Sequence, residues 1–125
     1  MANGNAPETR DATIAGSFVQ SVATRGEGFV EAKITAVTEN FGNIFTGFIQ
    51  DDLHAIGLKT GDTFQLESGD QSVPVKWGTT YRDVQQGEWV SFISGEGNLM
   101  VAINRDDACK AIDCEVGDTL RISAD

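Results

Sequence analysis

From Phe29 onward, apolar side chains recur at every second position. Val30, Ala32, Ile34 and Ala36 alternate with Glu31, Lys33 and Thr35, the period of a strand with one face buried and one wet. Residues 44–49 form a second run, β-branched and aromatic. Phe64 and Leu66 mark a third, and Val73, Val75 and Trp77 a fourth. Residues 89–93 and 99–103 pair as a hairpin across Ser94-Gly95-Glu96-Gly97-Asn98, and 119–122 closes the series. Pro74 cannot donate to a ladder, which predicts an edge, bulge or unpaired position for its strand.

Two brief helices interrupt the strands. Asp51 and Asp52 suit the solvated start of one turn bearing Leu53 and Ile56 and stopped by Gly57. A second turn runs over 106–112, with Asn104 expected as its cap. Arg25-Gly26-Glu27-Gly28 reads as a turn, and 78–86 as a loop around Tyr81. Upstream, Ile14, Phe18, Val19 and Val22 are spaced as one face of a short helix, and a partly ordered arm fits equally well. The pattern predicts an N-terminal arm over 1–25 and one all-β domain over 26–125. That domain is expected to be an antiparallel, Greek-key-like barrel of about seven short strands with two short helices.

Composition narrows the picture without changing it. A chain of 125 residues, 40% apolar, supports one modest core, and 14 glycines favour tight turns over long helices. Nineteen acids against nine bases leave a net charge of −10, which disfavours nucleic acid and anionic membranes and tolerates a cationic ligand such as a sulfonium. No stretch approaches the roughly 20 apolar residues of a membrane span. No leader is visible in residues 1–12, so the compartment stays open: cytoplasmic, or periplasmic if a leader was removed. His54 is the single histidine, too few for a zinc site or for a base beside a catalytic thiol. Cys109 and Cys114 are expected as buried free thiols, a short-loop disulfide being the alternative in an exported protein. No dinucleotide-binding or phosphate-loop glycine pattern occurs.

The candidate chemistry lies in two separated segments. One reads Glu39-Asn40-Phe41-Gly42-Asn43-Ile44-Phe45-Thr46; the other runs Ser91-Phe92-Ile93-Ser94-Gly95-Glu96-Gly97-Asn98-Leu99-Met100-Val101-Ala102-Ile103-Asn104. Together with Gly61-Asp62, Thr80-Tyr81-Arg82-Asp83-Val84, Gly87-Glu88 and Gly117-Asp118-Thr119-Leu120, this order resembles the C-terminal β-barrel domain of the S-adenosylmethionine hydroxide adenosyltransferases and their halogenating relatives. The resemblance implies a barrel that helps bind an adenosyl group. It places Asn43 at the ligand's polar edge, Phe45 and Tyr81 as aromatic walls, Ser94 and Gly95 as backbone partners of adenine, and Asn104 along the site. S-adenosylmethionine or adenosine is then the expected ligand, with no metal.

The likeness also implies what this stretch lacks. In that family the chemistry needs an N-terminal α/β domain, whose catalytic aspartate has no counterpart among these residues. Gly95-Glu96 stands where halogenating members carry Ser-Arg, Met100 where a glutamate is usual, and Gly47 where an asparagine is usual. The expectation is therefore a non-catalytic binding module. Two others stand beside it: a barrel that has lost its ligand and serves protein interaction, and the barrel half of a split S-adenosylmethionine hydrolase working with a separate α/β partner; a homo-oligomer is also left open.

Overall fold

A computed structural model describes residues 21–124, and the helical face expected from Ile14, Phe18 and Val19 lies outside them. In chain order the elements are β1 (Thr24–Gly26), β2 (Phe29–Val37), β3 (Ile44–Ile49), α1 (Gln50–Ala55), β4 (Thr63–Ser68), β5 (Gln71–Trp77), β6 (Trp89–Ile93), β7 (Asn98–Ile103), α2 (Ala108–Ile112) and β8 (Thr119–Ala124). The sheet runs β1-β2-β3-β7-β6-β5-β4-β8, and β8 pairs back onto β2. That last pairing closes seven strands into a barrel, which removes the exposed edges an open sheet would present. The expected all-β barrel with two short helices is present.

The alternation read from sequence fills the interior. Val30, Ala32 and Ile34 of β2 meet Ile44, Phe64, Leu66, Val75, Trp77, Leu99, Val101, Leu120 and Ile122 in one buried cluster. Ala36 departs from its expected inward position and is exposed. Between Ile34, opposite Thr46, and Ala36, opposite Phe45, β2 uses two residues against one of β3. Such a bulge turns the following side chains to the other face. A second irregularity in β3, between Phe45 and Ile49, is closed by buried Thr46. Its hydroxyl donates to the Leu99 carbonyl at 2.8 Å and accepts from the Phe48 amide at 3.2 Å.

Strand direction needs correction. All other strand pairs are antiparallel, but β5 and β6 run parallel, joined only at Lys76 opposite Val90 and Trp77 opposite Ser91. Parallel neighbours cannot be joined by a tight hairpin, so residues 78–88 loop out and return. Buried Ser91 supports this short seam, donating from Oγ to the Lys76 carbonyl at 3.1 Å, while Gly78 N–H donates to the Ser91 carbonyl at 2.8 Å. Pro74 pairs with Gln65 of β4 and lies outside the two positions joined to β6, so that edge of β5 is unpaired there, as its missing donor requires.

Three local expectations also change. Arg25 and Gly26 belong to β1, and only Glu27 and Gly28 form the turn into β2. Cys109 and Cys114 are joined in a disulfide rather than left as thiols. The reason is local: Asp113 ends α2 in the left-handed conformation (φ 52°), which folds Cys114 back to a Cα–Cα distance of 5.0 Å from Cys109. The third concerns Asp52, which is fully buried instead of solvated.

Asp52 fastens the chain's first described residues to α1. One carboxylate oxygen accepts from Arg25 Nε at 3.1 Å, Arg25 Nη2 at 3.0 Å and Ser21 Oγ at 2.6 Å. The other accepts the Ile49 amide at 2.9 Å, one of the orphan donors at the helix start. Leu53, one residue on, is completely buried, which contributes roughly 1.5–3 kcal/mol. Asp52→Asn, which removes the charged acceptor, is expected to lower the unfolding free energy by about 2 kcal/mol in urea titration. Asp51→Asn, at the exposed neighbouring position, should change it by less than about 0.5 kcal/mol. Equal losses in the two variants would contradict this account of Asp52.

Candidate functional site

Strand alternation gives the barrel an outer face, and on β3, β7 and β6 that face is not wet. Leu99, Val101 and Ile103 point to the core, so Met100 and Ala102 point away from it; yet they are 7% and 0% exposed. Val90 of β6 is likewise outside the core cluster and fully buried. Register sets Phe45 opposite Met100 and Met100 opposite Phe92, making one apolar row across three strands. Asn43 and Ser94 fall on this same face by alternation, one at each side of that row.

The returning 78–88 segment covers part of this second layer. Tyr81 begins a short 3-10 turn, Tyr81–Asp83, and meets Phe92 edge to face with ring centroids 5.3 Å apart at 81°. Its hydroxyl accepts from Asn43 Nδ2 at 2.7 Å. Asp83 shapes the turn: its carboxylate accepts the Thr79 amide at 2.6 Å, the Thr80 amide at 3.2 Å and the Thr79 hydroxyl at 3.2 Å. Gly78 is needed there because a Cβ would lie 2.5 Å from Asp83 Oδ2. The backbone donors of Thr79 and Thr80 hold the Asp83 carboxyl below the usual aspartate value of 3.8.

Asn43 is placed by the hairpin that precedes β3. Thr38 and Asn43 close it, with Thr38 N–H donating to the Asn43 carbonyl and Asn43 N–H to Thr38 Oγ1, each at 3.0 Å. Gly42 takes φ +58°, and a Cβ on it would collide with the Asp107 carboxylate. Asp107 is the true cap of α2, accepting the Lys110 amide at 2.9 Å, so the expected capping role of Asn104 is not observed. Asn104 instead donates from Nδ2 to the Val84 carbonyl at 3.0 Å, tying β7 to the same loop.

Phe41, Asn43, Tyr81, Arg82, Ile103, Asn104 and Arg105 enclose a hollow of about 360 Å³, within the size range of small-molecule sites. Asn43, Tyr81 and Asn104 are therefore brought together. Phe45 and Ser94 lie further along the outer face and do not line the hollow, and Gly95 is exposed at the hairpin tip. Ser94 uses its N–H and carbonyl to close that hairpin, with Asn98 and Gly97 as partners, so its hydroxyl is what it has to offer. Two buried side-chain polar atoms have no hydrogen-bond partner among the described residues: Asn43 Oδ1 and Ser94 Oγ. Both belong to the outer face.

Sequence reasoning quoted Phe41, Arg82 and Ile103 within its motifs without giving them a site role, and did not reach Arg105. A signal was available for the two arginines, since each directly follows a residue that was singled out, Tyr81 and Asn104. A larger hollow of about 710 Å³ lies on another side, bordered by Glu31, Glu67, Asp70, Asp113, Asp118 and Arg121. Among the described residues no group of three potential ligands is set to hold a metal.

These features define a small closed β-barrel domain with a second apolar layer on its outer face, edged by amides. Residues 32–121 match the family model described as SAM hydroxide adenosyltransferase C-terminal domain, and the chain belongs to that family. No curated protein matches the chain. Among solved structures, an uncharacterized conserved protein from Thermotoga maritima is similar at TM-score 0.75 and 22% identity, covering 81% of this chain and 38% of its own. A conserved hypothetical protein from Thermus thermophilus gives TM-score 0.52 at 27% identity, covering 74% of this chain and 34% of its own. The matched region is thus little more than a third of either neighbour. Among the described residues no helix is long and apolar enough to cross a membrane.

Tyr81 is the chain's single tyrosine and a clean reporter of the loop. Because the Asp83 carboxyl is depressed in the folded state, its hold on the loop is complete above the ordinary value of 3.8 and is lost as pH falls through the lower native one. Tyr81 ring resonances should therefore stay constant down to about pH 4 and shift below it. Asp83→Asn should show the shifted spectrum already at neutral pH; unchanged Tyr81 signals in that variant would refute the role.

Proposed function

We propose that this barrel is a non-catalytic binding module for a nucleoside-type ligand, adenosine or S-adenosylmethionine, seated in the hollow between Asn43, Tyr81 and Asn104. The single observation that carries the reading is the hollow itself, which gathers the Asn43 amide, whose Oδ1 is buried without a partner among the described residues, with the rings of Phe41 and Tyr81. A buried acceptor without a donor is destabilising by about 1–3 kcal/mol, and a ligand amino group would relieve it once the Asn43 amide turns toward the hollow. Phe41, 60% exposed, and the Tyr81 ring supply aromatic surface for a planar base, and the membership of the adenosyltransferase barrel family supports the ligand class. Phe45 and Ser94 extend the same face, giving a longer ligand somewhere to lie.

A second reading has its own support. The barrel's outer layer of Phe45, Met100 and Phe92 is apolar, and the solved neighbours are about three times as long as the region they share with this chain. A separate α/β partner seated on that layer would rebuild an S-adenosylmethionine hydrolase in trans. In that case the barrel alone releases no adenosine and the reconstituted pair does. A barrel that only binds protein would instead take a partner without any nucleoside.

Isothermal titration with adenosine and S-adenosylmethionine tests the first reading. Binding is expected for at least one of them, with chemical-shift changes centred on Asn43, Tyr81 and Asn104. Asn43→Ala should weaken it by about tenfold, the equivalent of one hydrogen bond to a buried amide. No heat and no shift changes at millimolar ligand would rule the reading out.

A further inference from the structure

The hollow beside Asn43 has a charge opposite to that of the protein. The chain carries −10 overall, yet the charged residues lining this hollow are two arginines, Arg82 and Arg105, with no acid among them. Neither makes an ion pair among the described residues, whereas Arg25, Lys59 and Arg121 each have one. The nearest acids in sequence are engaged with backbone donors. Asp83 accepts from Thr79 and Thr80, Asp106 from the Asp107 amide at 2.7 Å, and Asp107 from the Lys110 amide. Each of these carboxylates thus serves a backbone amide, and none forms an ion pair with either guanidinium among the described residues.

Arg105 is held in an unusual place. It takes φ +63° in the tight turn between Ile103 and Asp106, a conformation in which glycine or asparagine is ordinarily favoured. That turn brings Arg105 to the lining of the hollow, and the 3-10 turn brings Arg82 there as well. Arginine is the side chain best matched to phosphate, through paired N–H donors in a planar fork. A sulfonium would meet two like charges here, contrary to what the overall acidity suggests.

We infer that the ligand of this hollow is a nucleoside monophosphate, its base against Phe41 and Tyr81 at the Asn43 amide and its phosphate between Arg82 and Arg105. The inference rests on the nucleoside reading above and adds the anion to it.

Titration calorimetry of the whole chain with adenosine 5′-monophosphate, adenosine, S-adenosylmethionine and inorganic phosphate decides the matter. Exposed ion pairs contribute a few-fold each, so the monophosphate should bind about tenfold tighter than adenosine. That advantage should shrink as salt is raised. In Arg82→Gln/Arg105→Gln the ratio should fall to within about threefold, while Arg121→Gln, at the other hollow, should keep it.

Adenosine binding with no gain from the phosphate, or S-adenosylmethionine binding more tightly than the monophosphate, would overturn this inference and leave the nucleoside reading standing. A ratio that survives the double substitution would overturn the assignment to these arginines. Inorganic phosphate binding as tightly as the monophosphate would overturn the nucleotide. If none of the nucleosides binds, both readings fall together.

Discussion

Two strands that run in the same direction cannot be joined by a hairpin, and the chain leaving Trp77 must travel outward before it re-enters beside β5 at Trp89. The seam it returns to is short, two residue pairs supported by the Ser91 hydroxyl and the Gly78 amide. The excursion is consequently the least sheet-like part of the described chain, and it stays in place through side-chain bonds. Asp83 gathers Thr79 and Thr80 into a turn, Tyr81 leans on Phe92 and accepts from Asn43, and Asn104 holds Val84. Without the parallel seam there would be no such loop, and without the loop no walled hollow beside Asn43.

The loop matters because the barrel is apolar on both sides of β3, β7 and β6. An inward row of Ile44 and Val101 and an outward row of Phe45, Met100 and Phe92 come from the same short strands. Strands of a small barrel ordinarily turn their outer residues to water. Here Ala102 and Val90 are covered completely and Met100 nearly so, while Asn43 Oδ1 and Ser94 Oγ are buried at the margins without partners among the described residues. On the reading proposed above this face takes a flat, partly polar molecule, and on the second reading it takes another domain. Arg82 and Arg105 line the hollow at this face, where we infer a phosphate.

Much of this architecture was legible from residue order. Period-two runs fixed the strands and their inward sides, because burial on one face of a pleat forces that period. Gly57 stopping α1, the 94–98 hairpin and the unpaired position at Pro74 follow from local backbone chemistry in the same way. The motif order also brought Asn43, Tyr81 and Asn104 to attention before any contact was known, and they line one hollow.

What escaped a one-dimensional reading were the features that depend on a distant partner. Ala36 faces outward because β2 bulges against β3, a mismatch between two strands that neither contains alone. Asp52 reads as a solvated helix-start acid until Arg25 and Ser21 are folded over it. The disulfide needed Asp113 in a left-handed turn, and the parallel β5–β6 seam needed barrel closure, since strand direction is set by which edge is left free. Local periodicity determined where strands lie and which side they bury. Which strands meet, in which direction, and what therefore covers their outer face were decided only in three dimensions, because pairing free energy is shared between segments far apart in the chain.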